Sequence, residues 1–176
     1  MGRWAVARGE ANVGEDAMEY TVRPISDPRQ KAAITDDVLR ALPEWFGIEA
    51  AIVEYVQEVP AMAYWAAWVS DRPVGFLALK RHNAYTTEIY CMGIRPEVHR
   101  AGLGSALVAA CEAHSVQGGA EFLTVKTLDA SRPHAGYAQT RAFYLDRGFR
   151  PLEVFATLWD EANPCLFMAK ALRPPV

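Results

Sequence analysis

A chain of 176 residues, 51% of them hydrophobic and 22% charged, is long enough and apolar enough to bury one core without help from disulfides. Its 18 basic residues against 21 acidic ones, a net charge of −3, exclude nucleic acid and an anionic membrane as partners recruited through bulk charge. No apolar run approaches the ~18 residues of a membrane span, and Arg3 and Arg8 are followed by no apolar block that would make a signal peptide.

Residues 1–18 are small, polar and without periodicity. They read as a disordered tail or an upstream extension, with Met18 as a candidate natural start, and a single domain follows over 19–176. Glu19–Pro24 alternates as a first strand. Asp27-Pro28 opens a helix predicted to reach Leu42, where Pro43 stops it. Glu44-Trp45-Phe46-Gly47 is a short aromatic loop, and Ile48–Val59 is a second helix closed by Pro60. Met62–Val69 and Val74–Arg81 flank Asp71-Arg72-Pro73 as a hairpin, and Glu88–Ile94 follows as a third antiparallel strand. After a glycine turn, a helix runs to about Val116, with Gly118-Gly119 as its C-cap. Phe122–Leu128 reads as a buried strand and Tyr137–Arg147 as a helix ended by Gly148. Leu152–Leu158 is a strand, Trp159–Pro164 a connecting loop and Leu166–Leu172 the last strand. The order βααβββαβαββ predicts an α/β fold, a three-layer α/β/α sandwich with a mixed, mostly antiparallel central sheet. Cys91, Cys111 and Cys165 lie in apolar runs without metal-ligand spacing, so they read as reduced core thiols of a cytoplasmic protein, and no metal is expected.

The stretch from Glu88 to Cys111 organises the rest. Pro96 ends its strand because it has no N–H to give a ladder. Leu103, Leu107 and Cys111 then recur at helical spacing. Between strand and helix lies His99-Arg100-Ala101-Gly102-Leu103-Gly104. Without a Cβ at Gly102 and Gly104 the backbone can pass close to a bulky ligand. The first turn of the helix adds unpaired N–H groups and the positive end of its dipole, where a phosphate or pyrophosphate fits. One such contact contributes only ~0.3–1 kcal/mol when exposed, so tight binding needs several at once. On these residues alone an ordinary strand–helix turn stays open. A dinucleotide turn G-x-G-x-x-G is disfavoured, because Leu107 stands where the third glycine belongs.

With its order of elements and two spaced motifs, the chain resembles the GNAT superfamily of acyl-CoA-dependent N-acetyltransferases over roughly residues 19–172. That family's pyrophosphate turn, Arg/Gln-x-x-Gly-x-Gly/Ala, is matched from His99 to Gly104, with His at its first position. A second hallmark is an aromatic pair in the helix after the fifth strand, ending in Gly-Phe. It is matched by Phe143-Tyr144-Leu145-Asp146-Arg147-Gly148-Phe149, with Tyr137 where the family often has Asn. The resemblance implies acetyl-CoA as co-substrate. The strands Glu88–Ile94 and Phe122–Leu128 would splay, and the pantetheine arm would lie between them on main-chain groups of Met92, Gly93 and Ile94. The pyrophosphate would sit on His99, Arg100, Ala101, Gly102, Leu103, Gly104 and Ser105, with Tyr137 at the usual asparagine position. Arg141 and Arg100 are candidates for the ribose phosphate. A homodimer would be in keeping with the family.

That geometry needs a base and an acid. A free alkyl amine has pKa ~10.4, so shedding its proton near neutral pH costs roughly 4 kcal/mol. Glu88, a carboxylate in an otherwise apolar strand and six residues before Ile94, is the candidate general base. The histone-acetylating branch of the family carries its glutamate at that offset. A surface glutamate is the rival reading, and His82 and Glu153 are alternative bases. Tyr144 is the implied proton donor to the departing thiolate, on one helix face with Tyr137 and Arg141. Trp45, Phe46 and Trp159 could wall an aromatic slot for the substrate, with Glu44, Asp160 and Glu161 attracting a cationic amine. The expected activity is direct acetyl transfer in a ternary complex to a primary amine of a small molecule or peptide. The alternatives are a non-catalytic acyl-CoA sensor and an aminoglycoside or toxin-type acetyltransferase.

Overall fold

The computed structural model describes residues 7–13 and 16–172. Along them run β1 (Ala7–Val13), β2 (Asp16–Pro24), α1 (Pro28–Arg40), α2 (Glu49–Glu58), β3 (Ala63–Val69), β4 (Arg72–Arg81) and β5 (Thr86–Ile94). Next come α3 (Leu103–Gln117), β6 (Phe122–Leu128), α4 (Ala135–Asp146), β7 (Arg150–Asp160) and β8 (Asn163–Ala171). Single 3-10 turns occupy Val59–Ala61 and Pro96–Val98. The strands hydrogen-bond in the order β1-β2-β3-β4-β5-β6-β8-β7. β5 and β6 run parallel, whereas β1–β2, β2–β3, β3–β4, β6–β8 and β7–β8 are antiparallel. This is the mixed, mostly antiparallel sheet with helices that the sequence predicts. No helix among the described residues is long and apolar enough to cross a membrane.

The described residues form two compact units, those up to residue 80 with 91–114, and residues 81–90 with 115–172. In the first, Asp27 caps α1 by accepting from the N–H groups of Arg29 (2.8 Å) and Gln30 (3.3 Å), with Pro28 at the first helical position. The helix buries Ile34, Val38 and Leu39, each worth about 1.5–3 kcal/mol when fully covered. Lys31 is buried too. Its ammonium donates to the carbonyls of Pro60 (3.1 Å) and Met62 (2.6 Å), and burial holds its pKa below the usual lysine value. Tyr64 stacks on Phe76, and its hydroxyl meets Thr35 at 3.0 Å. β4 and β5 come close at two glycines. A Cβ on Gly75 would stand 3.0 Å from the Gly93 carbonyl oxygen, and one on Gly93 would stand 3.1 Å from both Val38 and Leu42. Gly93 is therefore a packing requirement between β5 and α1.

Residues 1–6, 14 and 15 of the expected tail lie outside the described residues. The rest of that segment is not a tail: Ala7–Val13 pairs with β2 in register Ala7↔Val22 to Val13↔Asp16. The ladder is made by main-chain groups, which composition does not reveal.

In the second unit, β5 and β6 pair from Thr86↔Phe122 to Ile89↔Val125, while β5 continues to Ile94 and β6 to Leu128. β6 is buried apart from half-buried Lys126 and from Phe122, which is expected in a buried strand but is 45% exposed. β7 is exposed throughout, with Leu152, Val154, Leu158 and Trp159 on the surface, and its register against β8 shifts at two places. The loop expected over Trp159–Pro164 is a tight turn instead. Trp159 and Asp160 belong to β7, Asn163 and Pro164 to β8, and the Asn163 amide donates to both Asp160 oxygens (3.0 and 2.9 Å). Cys91, Cys111 and Cys165 are all buried and outside any disulfide. Burial raises the Cys91 thiol and pushes that of Cys165 up to about 11.

Candidate active site

The turn before α3 is built by main-chain constraints. The Arg95 N–H donates to Val74 O (2.8 Å). His99 Nε2 lies 2.7 Å from the Ile94 carbonyl, which can only accept, so the imidazole donates. Its ring meets Trp45 edge-on at 5.8 Å. The histidine thus ties the turn to the end of β5, a role for its side chain that the motif alone did not suggest. Arg100 (φ 63°) and Gly102 (φ 82°) both adopt left-handed backbone. For the arginine this costs about 1–2 kcal/mol. Ala101 and Leu103 are buried, whereas Arg100 and Gly102 are exposed. Ala106 N donates to Gly102 O at 3.1 Å, which makes Gly102 the N-cap. The N–H groups of Gly102, Leu103, Gly104 and Ser105 therefore fall outside the helix's own ladder. Of the expected contact residues, Ala101 and Leu103 can offer a ligand only main-chain atoms. Met92 and Ile94 are half-buried, and the Ile94 carbonyl is already engaged by His99.

Glu88 is 4% exposed, which removes the surface-glutamate reading. Its neighbour Thr87 is buried as well, donating to Ser115 Oγ at 2.9 Å. Successive residues of a strand point to opposite faces, so β5 is covered on both sides here. A buried carboxylate is tolerated where cations and donors meet it. Lys126 Nζ donates to Oε1 at 2.6 Å, and His82 Nε2 contacts Oε2. His82 follows β4 directly, and the hairpin around it is firmly tied. Its own N–H donates to Thr86 O (3.0 Å). The Asn83 side chain accepts from the N–H groups of Tyr85 (2.8 Å) and Thr86 (2.9 Å). Arg81 donates to the carbonyls of Ala84 (3.0 Å) and Gly118 (2.8 Å).

Lys126 is the member of this cluster that sequence reasoning missed. The register Glu88↔Thr124 brings it beside Glu88 from β6. The available signal was a single lysine inside an apolar, β-branched run, because such a residue needs an anion. Glu153, the other alternative base, lies on the exposed strand β7.

On α4, Tyr144 is 4% exposed and packs against Phe143 and Phe149, each at 5.3 Å between ring centroids. Tyr137 lies in the first turn of the helix. Its N–H donates to His134 Nδ1 at 3.3 Å, and its ring meets that imidazole at 5.1 Å. Arg141 donates to Leu128 O at 2.8 Å, so its guanidinium ties α4 to β6. The expected aromatic slot is held in separate contacts. Trp45 packs on His99, Phe46 on Tyr55 at 5.9 Å, and Trp159 is 44% exposed on β7. The Asp160 carboxylate closes the β7–β8 turn.

The profile of the acetyltransferase (GNAT) family matches residues 31–149. The fold is a mixed α/β sheet with a strand–turn–helix and a glycine N-cap, and the chain belongs to the GNAT acetyltransferase family. It is 32% identical over 88 residues to a mycothiol acetyltransferase from Actinosynnema mirum, a match covering 49% of this chain and 26% of that relative. Among solved structures, a GNAT family acetyltransferase from Elizabethkingia anophelis with acetyl-CoA bound superposes with a TM-score of 0.66 at 15% identity. The match covers 86% of this chain and 97% of the other. An aminoglycoside 6'-N-acetyltransferase from Enterococcus faecium superposes with a TM-score of 0.67 at 21% identity, covering 88% and 98%. At these identities the structural likeness speaks for the fold.

Proposed function

We propose that this protein transfers an acetyl group from acetyl-CoA to a primary amine of a small molecule or peptide, by direct attack and without a covalent enzyme intermediate. The turn before α3 carries this reading. Four N–H groups, Gly102 to Ser105, lie outside the ladder of α3, beside left-handed backbone at Arg100 and Gly102. That arrangement fits a pyrophosphate through several main-chain donors at once. Family membership and the solved relative with acetyl-CoA bound support the same ligand.

Acetyl-CoA supplies an acetyl group activated as a thioester. The cluster around Glu88 supplies the base: it takes the proton the amine loses as nitrogen bonds to the acetyl carbon. A positioned base is typically worth ~10²–10⁴-fold in rate. Tyr144 is the proposed donor to the sulfur freed as the C–S bond breaks. Cys91 has no part in the chemistry, because burial raises its thiol away from the thiolate form. Exposed Trp159 and half-buried Trp45 and Phe46 are the proposed substrate contacts. Aminoglycosides belong among the acceptors to be tried, because relatives that acetylate them share the fold.

Calorimetry with acetyl-CoA and a thiol-release assay against primary amines test the proposal. Binding with turnover is the expected result. Binding without turnover for any amine would favour an acyl-CoA sensor, and no binding would overturn the reading of the turn.

A further inference from the structure

We infer that His82, rather than Glu88, receives the proton from the attacking amine, with Glu88 positioning the imidazole and Lys126 fixing the Glu88 carboxylate. The inference rests on the transferase reading above and names the group within its base cluster. Both oxygens of Glu88 are engaged, Oε1 by Lys126 and Oε2 by His82, and its side chain is only 5% exposed. Protonating a carboxylate so placed removes the charge that holds both partners inside a region of low dielectric, where that loss is costly. The His82 side chain is 37% exposed, and the ring nitrogen it gives to Glu88 is Nε2. Facing an acceptor-only carboxylate, Nε2 carries the hydrogen, which leaves Nδ1 as the ring nitrogen with a lone pair to accept a proton. Imidazole is the side chain whose ordinary range spans neutral pH, as a base for amine attack requires.

The step balances within the groups named. A neutral amine forms its C–N bond to the acetyl carbon and passes one proton to His82 Nδ1. The C–S bond breaks, and the sulfur takes the Tyr144 proton. Solvent then removes the proton from His82 and returns one to Tyr144. The imidazolium formed in between lies against the Glu88 carboxylate, the arrangement by which a buried acid supports a histidine base in hydrolytic triads. Lys126 offsets part of that attraction, so the proton is released again. The charged group that meets the imidazole is Glu88 on β5, which Lys126 on β6 meets in turn, with Cys165 on β8 near both carboxylate and ammonium; Arg81, the residue before His82, gives its guanidinium to the Ala84 and Gly118 carbonyls. The hairpin bonds at Asn83 and Thr86 hold His82 in place without the carboxylate. Glu88 is therefore needed for ring orientation and tautomer rather than for the path of the chain.

The test uses the full chain with acetyl-CoA and a panel of spermidine, kanamycin A, phenethylamine and a peptide with a free N-terminus, following the best acceptor. His82→Asn is expected to lower kcat ~10²–10⁴-fold, abolish the acidic limb of the pH profile and leave acetyl-CoA affinity within twofold. Added imidazole should restore part of the rate in His82→Ala. Glu88→Gln should lower kcat less and keep the acidic limb. In ¹⁵N spectra of the histidines it should replace a single Nε2–H form of His82 by a mixture of tautomers, a change that a purely structural glutamate would not produce. If Glu88→Gln abolishes the limb while His82→Asn keeps it, Glu88 is the base and the inference falls. Turnover that persists undiminished in His82→Asn also overturns it and leaves the transferase reading standing. No thiol release by the wild-type protein with any of the four amines overturns that reading, and the inference with it.

Discussion

In the turn before α3 the groups offered to a ligand are main-chain N–H groups, set by two left-handed residues and a helix start. Around Glu88 they are side chains from three strands or their ends, His82, Glu88 and Lys126, held by charge. The turn is local: all of its parts fall within a dozen consecutive residues, and its dipoles are fixed by backbone conformation. The cluster is non-local, because Lys126 reaches Glu88 only through the register Glu88↔Thr124. A site made of dipoles should tolerate change at its exposed side chains, the glycine apart. A site made of paired charges should be disturbed by the loss of any one member.

The largest expected effect is on the cluster. Lys126→Met leaves a buried carboxylate with a single partner and should cost about 3–5 kcal/mol in urea unfolding. Glu88→Gln in the same chain should recover much of the loss, because the two residues form one interacting unit. A cost below ~1 kcal/mol would class the pair with surface ion pairs and erase the contrast. At the turn, Gly102→Glu places a side chain at φ 82° and an anion at the helix start. Acetyl-CoA affinity measured by calorimetry should fall by about 100-fold, close to 2.7 kcal/mol. Unchanged affinity would mean that the ligand is held elsewhere. The smallest effect, Arg100→Gly, should raise stability by about 1 kcal/mol by relieving left-handed strain. It should leave acetyl-CoA affinity unchanged if the main chain does the binding, and a marked loss would show that the guanidinium does it.

The same contrast explains what could be read in the sequence. The turn was legible because glycine, proline and helical spacing are local signals, and Gly102 stands at a positive φ that glycine adopts without strain. Gly119, also at positive φ, ends α3 as expected from Gly118-Gly119. Glu88 stood out as a lone carboxylate in an apolar strand, but the identity of its partners depended on pairing between distant segments. Strand β1 escaped notice because its ladder with β2 is carried by backbone groups, which leave no pattern in its short and polar side chains. Arg141 and Asp160 carry the charge expected of ligand contacts, and each also holds one piece of chain to another. A charged residue near a motif says nothing of a carbonyl or amide that will claim it first.

The sequestered sulfurs of Cys91, Cys111 and Cys165 have a practical consequence. A maleimide dye should leave the native protein unmodified, so a single cysteine introduced at exposed Ala113 on α3 can be labelled alone. Fluorescence from that one dye would then report ligand arrival at the other end of the same helix without touching a residue of either site.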